Sequence, residues 1–109
     1  MHVAMHISDA DLSKAFKSYV GRRLRFALGR FGGHVGPITF RIGGNGPTES
    51  RCRISIEVLP FGRVAAEESD PDLFAAIDRA TGRIGRLFGR ELERARDVRV
   101  GRESIRLAA

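Results

Sequence analysis

The chain has no tryptophan, one cysteine, one tyrosine and two lysines. A single thiol, Cys52, excludes an intrachain disulfide and suits a reducing compartment. The opening segment MHVAMHISDAD has no apolar run of the kind a secretion signal needs. No apolar stretch approaches the roughly 20 residues of a membrane span. These absences together lead to the expectation of a soluble, cytoplasmic protein that does not contact a membrane.

Arginine is abundant where lysine is scarce: Lys14 and Lys17 are the only lysines, and the net charge is +6. An isoelectric point near 10.9 favours a polyanionic partner such as nucleic acid. With 109 residues and 42% hydrophobic content, the chain fits one globular domain. A domain of this size buries roughly 60–70% of the surface its unfolded chain exposes.

Alternation at Val3, Met5 and Ile7 predicts a first strand over residues 1–7. Two helix starts follow, at Ser8 and Ser13, and Ser13 puts the next apolar residues in register. From Lys14 to about Phe31, the residues Phe16, Val20, Leu24, Ala27 and Phe31 form one helical face. Gly32 and Gly33 end it, with the positive φ that a C-terminal cap prefers. Three strands then read out at residues 38–42, 51–58 and 63–67, separated by the loop GGNGPTES and a turn at Pro60-Phe61-Gly62. Ser69 or Asp70 offers a cap for a second helix, with Pro71 at its first position and Asp72 on its positive end. That helix is expected to run to about Arg96 and to leave residues 97–109 as a tail. The reading is an α+β domain of order β-α-β-β-β-α, with a four-stranded sheet and two helices packed on one face.

The second helix carries three stripes. Leu73, Ile77, Ala80, Ile84, Leu87 and Phe88 form the core stripe. Arg79, Arg83, Arg86 and Arg90 form another, about 16 Å long, which Arg94 continues. A row of like charges repels weakly on a solvated face and becomes favourable against phosphates. Gly82, Gly85 and Gly89 share a third stripe with Asp78, and each costs about 1 kcal/mol relative to alanine in a helix. Close approach of the first helix is the expected compensation; an RNA backbone or another chain is the other reading. On the first helix, Arg23 and Arg30 share a flank with Tyr19 and Phe26. These two aromatics are expected to pack against the second helix, although aromatics interleaved with arginine can also stack on bases.

The segment VAAEESDPDLFAAID with Arg83-Ile84, and the segment LSKAFKSYVGRRLRFALGRF, resemble the ribosome hibernation-promoting factor family, also called ribosome-associated inhibitors or sigma-54 modulation proteins. Phe74, Ala76, Ile77, Asp78 and Arg83 match its pattern, and Arg23 stands at a usual lysine. The resemblance implies a fold like double-stranded-RNA-binding domains over residues 1–96, and contact with ribosomal RNA of the small subunit in the mRNA and tRNA channel. It implies Arg23, Arg83, Arg86 and Arg90 as RNA contacts, to which the helical geometry adds Arg22 and Arg79. Three features depart from the family. Phe26 replaces a second lysine, Gly82 replaces a residue that is often acidic, and the connection after the first strand is short. Long members carry a second, dimerising domain, and this chain resembles the short form.

Residues suited to catalysis or metal binding do not converge. His2 and His6 share a strand face without a carboxylate partner, and Cys52 reads as a core thiol. GGNGP lacks the lysine and the following helix of a phosphate loop. Glu67, Glu68, Asp70 and Asp72 read as helix-start chemistry rather than a catalytic pair. The expectation is therefore a non-enzymatic binding protein without cofactor, metal or small-molecule substrate. The alternatives are a free-standing duplex-RNA binder and a homodimeric regulatory or structural module seamed along the glycine stripe.

Overall fold

A computed structural model of the chain describes residues 3–7, 13–44, 49–60 and 62–108, with side chains described up to residue 97. Four strands form one sheet in the order β1-β2-β3-β4: β1 is Val3–Ile7, β2 Val35–Gly44, β3 Ser50–Val58 and β4 Arg63–Asp70. β1 pairs parallel to β2, with Met5 opposite Phe40. β2 with β3 and β3 with β4 are antiparallel, with Phe40 opposite Ile54 and Ile54 opposite Ala66. The parallel pair requires a crossover, which α1, Ser13–Leu28, supplies. α2 spans Leu73–Ala108.

The expected architecture is present, and both helices lie on one face of the sheet. Phe16, Val20, Leu24 and Leu28 of α1 meet Ile77, Ile84 and Phe88 of α2 in one core over Ile38, Phe40, Cys52, Ile54 and Ile56. Period-two alternation sends the intervening residues Arg41, Arg51, Arg53 and Glu57 to the exposed face.

Element ends depart from the sequence reading for identifiable reasons. β2 begins at Val35, three residues early, and its pairing is irregular between Val35 and Ile38, where Pro37 has no N–H for the ladder. α1 stops at Leu28, and Gly29–His34 continues as a 3-10 segment broken at Gly32, whose φ of 54° is the conformation glycine tolerates best. β4 extends to Asp70, which pairs with Ser50, so Ser69 and Asp70 are extended and neither is the cap. Asp72 is the cap instead: its carboxylate accepts the Phe74 N–H at 3.0 Å and its carbonyl accepts the Ala76 N–H at 3.1 Å. Asp70 in turn accepts the Asp72 N–H at 2.8 Å. α2 does not end near Arg96 but runs to Ala108.

His2, the alternative start at Ser8, Phe61 and residues 45–48 of the GGNGPTES loop lie outside the described residues, as do the side chains of His6 and of the segment beyond Asp97. No described helix is long and apolar enough to cross a membrane. No group of three or more His, Cys, Asp or Glu side chains able to hold a metal occurs among the described residues.

Candidate nucleic-acid interface

The glycine stripe of α2 settles the relation of the two helices. A Cβ at Gly85 would lie 3.2 Å from the Ala27 carbonyl oxygen and 3.3 Å from its Cβ, and one at Gly89 would lie 3.4 Å from the Phe31 ring. Gly85 therefore permits close approach of α1, and Gly89 that of Phe31 in the 3-10 segment that continues it. Gly82 differs: a Cβ there would meet only the Arg86 guanidinium, at 3.7 Å. The seam that a glycine-based homodimer needs is covered at Gly85 by Ala27 of α1 and at Gly89 by Phe31 of the 3-10 segment.

One turn earlier the helices are joined by polar groups. Arg23 Nε lies 3.2 Å from Asp78 Oδ1, and the Tyr19 hydroxyl donates to the same oxygen. That hydrogen bond to a carboxylate raises the Tyr19 pKa above its ordinary value, with desolvation adding to it. The Tyr19 ring also packs edge-on against Phe74 at 5.0 Å, and Phe16 lies 5.0 Å from the same ring. Tyr19 thus packs against α2 as expected. Phe26 does not: it is 85% exposed, the most open large apolar side chain described.

The six arginines singled out from the sequence fall into two groups. Arg79 grips the end of β4, with Nη2 2.7 Å from the Ser69 carbonyl and 3.0 Å from Asp70, and Nε 3.7 Å from Glu68. Arg83 lies 3.5 Å from Glu68. Together with Arg23 on Asp78, these three guanidinium groups already face carboxylates. Arg22, Arg86 and Arg90 are exposed and have no partner among the described residues. Arg94, expected to continue the stripe, is held bidentately by Glu91 at 2.7 and 3.1 Å, which lowers the Glu91 pKa and raises that of Arg94.

Two of the four acidic residues read as helix-start chemistry have another role. Glu67 faces Arg51 at 3.1 Å and Arg53 at 3.7 Å on the exposed sheet face, and Glu68 faces α2. Only register places them there, since Glu67 pairs with Arg53 across β3 and β4.

Sequence reasoning left Arg30 outside its set of candidate contacts. Its guanidinium reaches across to α2, with Nη2 3.9 Å from a Cβ at Gly89, and sits over the Phe31 ring at 4.8 Å. The signal was its spacing: Arg22, Phe26 and Arg30 succeed one another by four residues, Arg22 and Phe26 on α1 and Arg30 in the 3-10 segment that follows it. The outer surface of the helix pair thus offers Arg22 from α1, Arg30 from the 3-10 segment after it, Arg86 and Arg90 from α2, and the open Phe26 ring.

Residues 3–96 match the protein family described as Sigma 54 modulation protein / S30EA ribosomal protein. Among solved structures, the N-terminal domain of Protein Y from Thermus thermophilus is 28% identical, with a TM-score of 0.71 covering 83% of this chain and 98% of that one. A ribosomal subunit interface protein from Coxiella burnetii shares the fold at a TM-score of 0.73 and 14% identity, covering 85% of this chain and 99% of that one. A comparison with curated proteins finds no match.

Proposed function

Because this chain belongs to the Sigma 54 modulation protein / S30EA ribosomal protein family, we propose that it binds the small ribosomal subunit and silences translation by occupying RNA surface in the mRNA and tRNA channel. The observation that carries this reading is the set of exposed arginines on the outer surface of the helix pair, above all Arg22, Arg86 and Arg90. A guanidinium is always charged and matches a phosphate with two parallel N–H donors, so such a surface suits a backbone of phosphates.

The remaining candidates act from within ion pairs. Arg23, Arg79 and Arg83 each carry five N–H donors, more than their carboxylate partners occupy, and can turn the others to phosphate. The mechanism is competition: bound protein excludes tRNA and mRNA from the same RNA surface and releases it on dissociation. The domain that does this is residues 1–96, with 97–109 as an appendage, and the work is done in the cytoplasm without cofactor or catalysis.

Co-sedimentation of the purified chain with separated ribosomal subunits tests the reading. Retention on the small subunit is expected at low salt and should weaken as salt rises, by roughly 0.7–0.9 in log affinity per log salt for each phosphate contact. Arg86→Glu with Arg90→Glu should abolish retention while leaving the circular dichroism spectrum unchanged. A folded wild-type chain that fails to bind at low salt overturns the function, and undiminished binding of the double variant overturns the assignment to these arginines.

A further inference from the structure

A phenylalanine that is 85% exposed contributes little to the core. The core has a full complement without it, since Phe16, Val20, Leu24 and Leu28 already make the buried face of α1. Neighbouring aromatics are engaged differently: Tyr19 and Phe16 pack on Phe74, and Phe31 packs on Phe88 at 4.7 Å. Phe26 has no ring neighbour among the described residues; the exposed Arg22 stands one turn before it on α1, and the exposed Arg30 follows in the 3-10 segment. A Cβ at Gly82 on α2 would meet only the Arg86 guanidinium, at 3.7 Å, so no α1 side chain closes over that turn. The space above the ring is left open on a surface otherwise set with positive charge.

From this arrangement we infer that Phe26 is a stacking platform for an unpaired base of the bound RNA, with Arg22 and Arg30 holding the phosphates on either side. The inference rests on the ribosomal reading and adds to it a contact that charge alone does not supply. A base inside a duplex presents its edges and not its face, so the platform selects a single-stranded or flipped nucleotide. A stacked base contributes through contact area and is insensitive to salt, whereas the flanking arginines contribute through phosphate and are not. The ring thereby supplies an affinity that persists where Arg–phosphate pairs weaken.

The experiment is a titration of small subunits with wild type, Phe26→Ala, Phe26→Leu and Phe26→Trp over a series of salt concentrations. Because the side chain is exposed, none of the three substitutions should unfold the chain. Phe26→Ala and Phe26→Leu should both weaken binding, by ~5- to ~100-fold, the range for losing one base–aromatic stack, with the salt slope unchanged. Phe26→Trp should bind at least as tightly as wild type. The chain has no other tryptophan, so quenching of that one indole by the subunit, and by a short single-stranded oligoribonucleotide but not by a hairpin duplex, should report the stack directly. Leucine binding as well as phenylalanine would mean apolar contact with a ribosomal protein and overturn the inference, as would full affinity of the alanine variant. Failure of wild type to bind would instead overturn the ribosomal reading.

Discussion

Phe26 and Tyr19 stand on the same flank of α1, yet one is open and the other packs against α2. Tyr19 meets Phe74 and Asp78, while Phe26 has no ring neighbour among the described residues and is 85% exposed. Their common helical flank was legible in the sequence. Their different surroundings were not, because which residue of α2 lies opposite depends on how far one helix slides along the other. Cys52 is the contrary case. Strict alternation along residues 51–58 put it on the inward face, and it is fully buried. Burial raises its pKa from 9.0 to about 12, with the nearby Glu68 charge adding to the effect. Two outcomes follow. In native protein the thiol should not react with a disulfide reagent at pH 8, and it should react fully after denaturation. Above about pH 9 the unfolded thiol loses its proton while the folded one keeps it. The unfolded state then binds fewer protons, and stability falls as pH rises toward 12. The contribution has a limiting slope of about 1.4 kcal/mol per pH unit. Denaturant melts of wild type and Cys52→Ala between pH 8 and 11 isolate it, since only the wild type should carry this term.

At the scale of elements, the glycine stripe of α2 separates into members with different work, and substitution should separate them too. A methyl group at Gly82 meets only the end of the flexible Arg86 side chain at 3.7 Å. Gly82→Ala should therefore stabilise the protein by about 1 kcal/mol, the helix propensity gained. At Gly85 the same methyl would come within 3.2 Å of a carbonyl oxygen fixed in α1. Gly85→Ala should lower the melting temperature despite the identical propensity gain, because α1 must shift to admit it. Equal shifts of the two variants in thermal melts would mean that the helix contact is compliant. The stripe itself was visible in the sequence, as was close approach of the first helix as its reason; that Gly82 stands outside the contact needed the geometry. The ends of α2 were least legible. Its start moved to Asp72 because cross-strand pairing holds Ser69 and Asp70 in β4. Its far end ran on because residues 97–108 contain no proline, and Gly101 alone, at about 1 kcal/mol, does not stop a helix already under way.

At the scale of the whole molecule, what decides function is less the net charge of +6 than where the opposing charges lie. The arginine stripe of α2 was legible as a stripe, but its division was not. The β4 carboxylates that neutralise its first half come from residues that read as helix-start chemistry, since acidic side chains are ordinary in a helix's first turn. Glu68 faces both Arg79 and Arg83, at 3.7 and 3.5 Å, and is itself only 26% exposed, so on the proposed function it competes with phosphate for both guanidinium groups. These pairs are half open to solvent, and each contributes little to stability by itself. Competition for the same guanidinium groups is then the larger consequence. Glu68→Gln should leave the fold intact, since Asp70 and the Ser69 carbonyl still hold Arg79. It should tighten binding to the small subunit and steepen the salt dependence of that binding as Arg83, and part of Arg79, turn to phosphate. Affinity and slope both unchanged in the titration would mean that these two arginines are fasteners of α2 on β4 and take no part in the interface. The outer surface with Arg22, Arg86 and Arg90 would then account for the whole electrostatic term.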